Sequence, residues 1–318
     1  MNLSNKIWSN IIIKLTNNSV SKFSCLWNLY NLSTEEIQLL HTSKRVWFDA
    51  CKKGYSGIVS LLIKNDANNV GSKFNGYNGL YYAARYGHKA VVELLIEHAD
   101  VINSQGKYGL TALYCASRYG YKDILEILLN AGAIPNSEHL VKACEYGHKD
   151  CVEILLDNDA PISDETLDKA TQNGHKSIVK ILIGFVDINS QYVCGYTALH
   201  LASIEGYYEI AELLIKVGGC GVNIKSEYGD TALHMACEHR NIEIIELLIE
   251  AGANVNIQNG NGDTALHIAC KNRYRKIVEL LIKAGADTNI KNKDGNTAMH
   301  IPKHFSYKEI IELLEKTD

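Results

Sequence analysis

The 318-residue sequence has little of what marks membrane, secreted or nucleic-acid-binding proteins. None of its apolar runs reaches the roughly 18 residues that a membrane-spanning helix requires. Residues 1–15 lack the charged start, apolar core and small-residue cleavage site of a secretion signal. The formal net charge is only −4, which gives no general attraction to nucleic acid or to a membrane surface. We therefore expect an intracellular protein that binds neither.

Motifs of common catalytic and metal sites are also missing. The sequence contains no HExxH, no CxxC pair and no nucleophile elbow. The glycine cluster at 218–221 follows a predicted helix and precedes no Gly-Lys-Ser or Gly-Lys-Thr, so we interpret it as a loop. His300 and His304 are four residues apart, but Pro302 between them and the lack of a third ligand argue against a metal. We predict no enzyme activity, no metal and no cofactor.

What the sequence does contain is one pattern, repeated nine times at intervals of 27 to 34 residues. A large apolar side chain stands three residues before each ladder position, and a leucine stands twelve residues after it. The ladder positions, which define repeats 1 to 9, are Ala50, Ala83, Ala116, Ala143, Ala170, Ala202, Ala236, Ala269 and Pro302. A period of this length indicates stacked units that bury their apolar faces only against their neighbours.

Each repeat is predicted to contain a pair of helices. Thr-Ala-Leu-His at Thr197–His200, Thr231–His234 and Thr264–His267 predicts the start of helix one, because threonine is a favourable N-cap. Thr111–Tyr114 and Thr297–His300 are variants of this motif. In repeats 1 to 6 a glycine four residues past the ladder position predicts the end of helix one. Apolar pairs at helical spacing then predict helix two.

The pattern Gly-x-Thr-Ala-Leu-His-x-Ala, followed by Gly-His, Leu-Leu and Ala-Gly-Ala, resembles the ankyrin repeat, with alanine where that family usually has proline. The resemblance covers residues 43–318 and implies an all-α fold, a helix-pair solenoid of about nine units with short β-hairpin loops. It also implies a non-catalytic, monomeric scaffold that binds another protein through its concave face and hairpin tips. The abundant isoleucine, asparagine, lysine and tyrosine resemble the ankyrin proteins of giant DNA viruses. This second resemblance implies a host protein as partner and the host cytoplasm, or the nucleus, as location.

Most histidines and cysteines are explained by the repeat. Histidine recurs in the helix-one motif and after the turn glycine, at His88, His148 and His175, so we expect hydrogen bonds to nearby backbone or to the motif threonine. Four of the nine cysteines directly follow a ladder alanine: Cys51, Cys144, Cys237 and Cys270. We interpret these as small core residues in a reducing compartment.

The repeat is irregular in two places. The steps from Ala116 to Ala143 and from Ala143 to Ala170 are only 27 residues long, and the missing six residues are those of the hairpin. Ser137 and Asp164 are the predicted N-caps there. The simple interpretation is harmless loop shortening, and the alternative is a notch that admits part of a partner.

The predicted partner contacts lie two and three residues after the ladder positions, which face the concave side in ankyrin repeats. They are Arg85, Tyr86, Arg118, Tyr119, Glu145 and Tyr146. Tyr77, Tyr108 and Tyr228 add aromatic side chains at predicted hairpin tips. Tyrosine and arginine are enriched in interface hot spots. The alternative is that tyrosine, with 18 residues, is simply common here. Stacking of nucleic acid is less favoured, given the nearby carboxylates of Glu145 and Glu205.

Residues 1–42 do not follow the repeat. Apolar residues at helical spacing and a capping box at Ser33-Thr34-Glu35-Glu36 predict helices that cap the apolar end of repeat 1. A second hypothesis is a degenerate F-box, which would make the chain a substrate adaptor of a ubiquitin ligase. Ser4 stands where that family usually has proline, and Lys6 where it has an acidic residue.

Overall fold

The ladder pattern forms helix pairs, as predicted. The computed structural model describes residues 44–65 and 68–315. The first helices are Lys44–Lys53, Gly79–Arg85, Ala112–Tyr119, Ser137–Glu145, Glu165–Gln172, Ala198–Glu205, Ala232–Glu238, Ala265–Lys271 and His300–His304. The second helices are Ser56–Asn65, Lys89–Leu95, Lys122–Asn130, Lys149–Asp157, Lys176–Leu182, Tyr208–Lys216, Ile242–Glu250, Arg275–Lys283 and Lys308–Leu314. Shorter helical turns are Asn68–Gly71, Ala99–Ile102, Lys107–Gly109 and Val193–Gly195.

The chain forms two compact units. The first contains the described chain up to Ala143 together with Asp150–Pro161, and the second contains Cys144–Lys149 together with the described chain from Ile162 onward. In both units the ladder residues and the leucines twelve positions later are buried. Burying one such leucine stabilises the fold by roughly 2 kcal/mol, so the repeated leucines account for much of the core energy.

The turn glycines end the first helices by adopting the left-handed conformation. Gly120 has φ 73° and Gly206 has φ 78°, values that a side chain disfavours. Repeats 7 and 8 lack this glycine, and Arg240 and Arg273 occupy the same conformation with φ 59°. The guanidinium of Arg273 lies 4.5 Å from the centre of the Tyr307 ring in the next repeat, a cation–π contact that offsets part of the strain.

Short hairpin turns connect most repeats. They are residues 74–77, 106–110, 192–196, 226–230, 259–263 and 292–296, each closed by a backbone hydrogen bond from its first to its last residue. Regular strands are absent from the described part of the chain, where Phe74–Tyr77 and Lys291–Thr297 form isolated β-bridges. The connections from Asn130 to Ser137 and from Asp157 to Glu165 have no such turn, which confirms that the two short steps omit it. That this omission admits a partner stays a prediction.

Asparagine side chains join successive loops. Asn189 donates to the carbonyl of Gly219 at 2.7 Å and accepts from the backbone N–H of Gly221 at 2.8 Å. The glycine cluster is therefore a loop that hydrogen bonds hold to the preceding repeat, which confirms the prediction of a loop. Asn256 makes the equivalent pair of bonds to Gly285 and Asp287.

The predicted structural role of the motif histidines is confirmed in repeats 6 to 8. The Thr231 N–H donates to His234 Nδ1 at 3.1 Å, and His234 Nε2 lies 3.1 Å from the Asp263 carbonyl of the next repeat. Since Nδ1 accepts, Nε2 carries the proton and donates. His200 and His267 make the same bonds. Burial lowers the pKa of His200 and of His234, which favours this neutral form.

Three expectations about helix starts are wrong. Asn136, not Ser137, caps helix one of repeat 4, because its Oδ1 accepts from the His139 N–H at 3.2 Å. Asp164 makes no side-chain cap bond, and Thr166 Oγ1 instead accepts from the Ser163 N–H at 3.2 Å.

In repeat 9 the helix begins at His300 itself, so Thr297–His300 does not open it. His300 is exposed and makes no bond of the kind that His234 makes to Asp263. The physical reason is that no further described repeat offers it a carbonyl.

The interpretations of residues 1–42, as a cap or as an F-box, concern residues outside the described part of the chain. Among the described helices, none has the length and apolarity that crossing a membrane demands.

Candidate partner-binding surface

The arginines of repeats 2 and 3 are held by tyrosines one helical turn earlier. Tyr81 and Tyr114 occupy the motif position that is histidine in repeats 6 to 8, and both are buried. Their hydroxyls accept hydrogen bonds from Arg85 Nη1 at 3.1 Å and from Arg118 Nη1 at 3.2 Å. This hydrogen bond raises the pKa of Arg85, and burial raises the pKa of Tyr81, so the pair stays cation and neutral phenol.

Both helices that carry these pairs have capped starts. Asn78 Oδ1 accepts from the Tyr81 N–H at 2.8 Å, and Thr111 Oγ1 accepts from the Tyr114 N–H at 3.1 Å. These caps fix the first turn, and a tyrosine and an arginine four residues apart then share one helical face. The sequence analysis missed this pairing, although the i, i+4 spacing could have indicated it.

The Tyr86 ring lies beside two cations. Lys52 Nζ is 5.4 Å from its centre and Arg85 Cζ is 6.0 Å from it. The Tyr86 side chain nevertheless stays 41% exposed, so part of its surface is accessible to a partner. Tyr119 repeats the arrangement in repeat 3, with Arg118 Cζ at 5.9 Å and 38% exposure. Four of the predicted contacts therefore form two similar pairs in the first unit.

Glu145 and Tyr146 lie in the second unit. Tyr146 is 41% exposed and packs against His148, with ring centres 6.5 Å apart. The Glu145 carbonyl accepts a hydrogen bond from His175 Nε2 at 3.2 Å, which confirms the predicted bond of His175 to nearby backbone. His88 makes the corresponding bond to the Lys52 carbonyl at 2.8 Å in the first unit.

The hairpin aromatics differ in exposure. Tyr108 is 80% exposed, and Lys107 Nζ lies 4.9 Å from its ring centre. Tyr228 is 57% exposed, with its hydroxyl 3.7 Å from Cys194 Sγ. Tyr77 is half-buried, stacks on Tyr81 at 4.0 Å and donates to the Lys107 carbonyl at 3.1 Å. Of the three, Tyr108 and Tyr228 have the larger accessible area.

Charge is segregated in the first unit. Six cations and one acidic residue, Asp49, lie in residues 47–53, 72–86 and 104–119. These residues include most of the first helices, and the hairpin turns, of repeats 1 to 3. The cations are Lys52, Lys53, Lys73, Arg85, Lys107 and Arg118. The acidic residues gather around the second helices, for example at Glu93, Asp123 and Glu126. The corresponding positions of the second unit instead include Glu145, Glu205 and Glu238.

The described residues do not show a grouping typical of a metal site. Within residues 44–65 and 68–315, no three side chains of His, Cys, Asp or Glu are placed to hold a metal ion together. The motif histidines of repeats 6 to 8 have hydrogen-bond partners in the fold, so their chemistry is structural.

Helix pairs that repeat every 33 or so residues and are joined by hairpin turns define a helical repeat protein. Comparison with known protein families identifies the family to which this helical repeat belongs. Models described as ankyrin repeats (3 copies) match residues 47–139 and 167–259, and models described as ankyrin repeats (many copies) match residues 140–183 and 248–301. The chain therefore belongs to the ankyrin-repeat family, as the sequence resemblance implied. Among curated proteins, none matches the chain.

Proposed function

We propose that this protein is a non-catalytic scaffold that binds another protein through its concave face and its hairpin tips. Ankyrin repeats generally mediate protein–protein interaction, which supports the class of function. The observation that carries the proposal is the pair of half-exposed tyrosines, Tyr86 and Tyr119, each held beside an arginine.

The physical argument concerns the cost of binding. A tyrosine with two side-chain torsions gives broad contact area for little lost entropy, and an arginine already bonded to a buried hydroxyl loses less freedom than a free one. Both features lower the free energy that association must overcome. The repeated arrangement in neighbouring repeats offers a partner two such contacts.

The likeness to ankyrin proteins of giant DNA viruses makes a host protein the proposed partner and the host cytoplasm, or the nucleus, the proposed location. We propose that the protein acts as a monomer. We also propose that it acts without catalysis, which the structural hydrogen bonds of the motif histidines in repeats 6 to 8 support.

The test is affinity purification from a eukaryotic cell, followed by mass spectrometry and by binding measurements with the purified partner. We expect Tyr119→Ala to leave thermal stability unchanged and to weaken partner binding at least tenfold, as truncation of a hot-spot tyrosine does. Tyr208→Ala, at the start of a second helix, is the matched control and should bind as the wild type does. Equal binding by both variants and the wild type would contradict the proposed surface. Recovery of a ubiquitin-ligase adaptor would favour the adaptor hypothesis for residues 1–42.

A further inference from the structure

The two cations beside Tyr86 form no ion pair with a carboxylate of residues 44–65 or 68–315. In the described part of the chain, Arg85 bonds Tyr81 and both Arg85 and Lys52 lie beside the Tyr86 ring, but neither forms an ion pair with a carboxylate. Two other surface cations of the first unit do form ion pairs, Lys89 with Asp123 at 3.0 Å and Lys122 with Asp150 at 3.5 Å. Two positive charges next to one aromatic ring repel each other, and an incoming negative charge would relieve this repulsion.

The position of Arg85 is set before any partner binds. Tyr81, which is 3% exposed, takes one of the five guanidinium N–H donors, and the Tyr86 ring lies against the same group. Arg118 is placed in the same way by Tyr114 and Tyr119. Guanidinium groups bind carboxylates through paired N–H donors, and a fixed guanidinium does this at a lower entropic cost.

The spacing of the arginines limits what can reach both. Arg85 and Arg118 occupy equivalent positions of neighbouring first helices, and packed helices are roughly 8–10 Å apart. A peptide in the extended polyproline II conformation advances about 3.1 Å per residue and has three residues per turn, so side chains three residues apart lie on the same face and span this distance. Lys52 occupies the equivalent position in repeat 1 and continues the row by one step.

We propose that Lys52, Arg85, Tyr86, Arg118 and Tyr119, the cationic tyrosine surface, bind an extended protein segment with carboxylates about three residues apart. This inference rests on the proposed function and adds the chemistry of the partner. The six cations of residues 47–53, 72–86 and 104–119 make the surface complementary to such a segment. A nucleic acid is less well matched, because three cations neutralise few phosphates and the whole chain has a net charge of −4.

The experiment uses the full chain and three fluorescent probes. The first is a Gly/Ser peptide with aspartate at every third residue, the second has the same composition with its aspartates consecutive, and the third is a single-stranded oligothymidylate. Fluorescence anisotropy at low salt measures the affinity of each. We expect the spaced peptide to bind best, and its affinity to fall as salt is added.

Variants locate the binding. Arg85→Gln and Lys52→Gln should each weaken the spaced peptide about tenfold, the effect of losing one charge-assisted contact. Lys52→Gln guards against a folding defect, because the Lys52 side chain is exposed and its Nζ lies beside the half-exposed ring of Tyr86. Lys271→Gln is the matched control, since Lys271 stands at the same ladder offset in repeat 8 of the second unit. It should leave the affinity unchanged.

Three outcomes would overturn the proposal: no preference for the spaced peptide, equal weakening by Lys271→Gln, or tighter binding of the oligothymidylate through the same residues. If these occur while Tyr119→Ala still abolishes capture of the protein partner, the scaffold function stands and only the acidic specificity is wrong. If Tyr119→Ala has no effect on capture while the spaced peptide binds as expected, the acidic specificity stands and the partner contact lies elsewhere.

Discussion

His139 should make the stability of the first unit depend on pH. Its side chain is 3% exposed and is bonded on both ring nitrogens. Nδ1 accepts from the Asn136 N–H at 2.9 Å, so the proton lies on Nε2, which donates to Thr111 Oγ1 at 3.2 Å. A second proton on Nδ1 would face the Asn136 N–H. Burial lowers the pKa of His139 from 6.5 to about 4.

The sign and size of the effect follow from these values. Above pH 6.5 the ring is neutral in both the folded and the unfolded protein. Between 6.5 and about 4 the unfolded chain binds a proton that the folded chain does not, so the free energy of unfolding falls as the pH falls. Each pKa unit corresponds to about 1.4 kcal/mol, so acidification through the whole range between the two pKa values lowers the free energy of unfolding by roughly 3 kcal/mol. Below about 4 no further loss comes from this group.

The assay is urea unfolding of the wild type and of His139→Gln, at several pH values from about 7.5 to about 4.5. Tryptophan fluorescence, to which the buried Trp47 contributes, follows the first unit more closely than circular dichroism does. The lowered pKa values of His200 and His234 act in the same direction as that of His139. Burial raises the pKa of Asp168 to about 7, and this opposes them, because the folded form then holds a proton that the unfolded form has lost. Only the difference between the two proteins isolates His139.

We expect the stability gap between wild type and His139→Gln to shrink by roughly 2–3 kcal/mol on acidification. His239→Gln, which replaces an exposed ring, should follow the wild type at every pH. Parallel curves for the wild type and His139→Gln would show that the buried ring titrates as in the unfolded chain, and the reasoning would be wrong.

Three further predictions concern packing. Gly174→Ala should destabilise by roughly 2–4 kcal/mol, because the residue has φ 73° and an added Cβ would lie 2.9 Å from the Tyr207 ring. The control Gly252→Ala should cost only about 1 kcal/mol for its backbone conformation, since no atom lies within 4 Å of the added Cβ. Equal melting curves for the two variants would contradict the contact between residue 174 and the Tyr207 ring. Ala202→Leu should lower the free energy of unfolding by at least 1–3 kcal/mol, because it overpacks a fully buried position. Ile204→Leu, at a half-exposed site, should not lower it. An unchanged urea midpoint for Ala202→Leu would refute the stacking register. Iodoacetamide followed by peptide mass mapping should label half-exposed Cys194 well before buried Cys237, whose pKa is raised by burial, and the reverse order would exclude the packing described.

Much of the fold was predictable because its signals are local. The ladder alanines, the leucines and the turn glycines act within one helix pair, so their spacing alone indicates both helices and where they end. The hydrogen bonds between the motif threonines and histidines of repeats 6 to 8 could also be predicted, since Thr231 and His234 are three residues apart. The caps were less certain, because Ser137 and Asn136 are adjacent and both are good N-cap residues.

The candidate surface was predictable only in part. Position within the repeat was enough to select Tyr86 and Tyr119, but not to tell how far each ring is exposed. It also could not show that Tyr77 is half-buried, because the Lys107 carbonyl that Tyr77 binds is 30 residues away. The contact of Lys52 with Tyr86 likewise joins two repeats, and no local pattern specifies it.

The amino-acid sequence by itself determined the family, the helix pairs, the missing hairpin turns and the surface positions that vary between repeats. All of these depend on apolar periodicity and on the conformational preferences of single residues. Only the tertiary structure decided that Lys52 and Arg85 form no ion pair with a carboxylate of the described residues, that both lie beside the Tyr86 ring, and that His139 is buried against Thr111. The physical reason is that charge pairing and burial depend on atoms brought together from different repeats, whereas periodicity depends on neighbours along the chain.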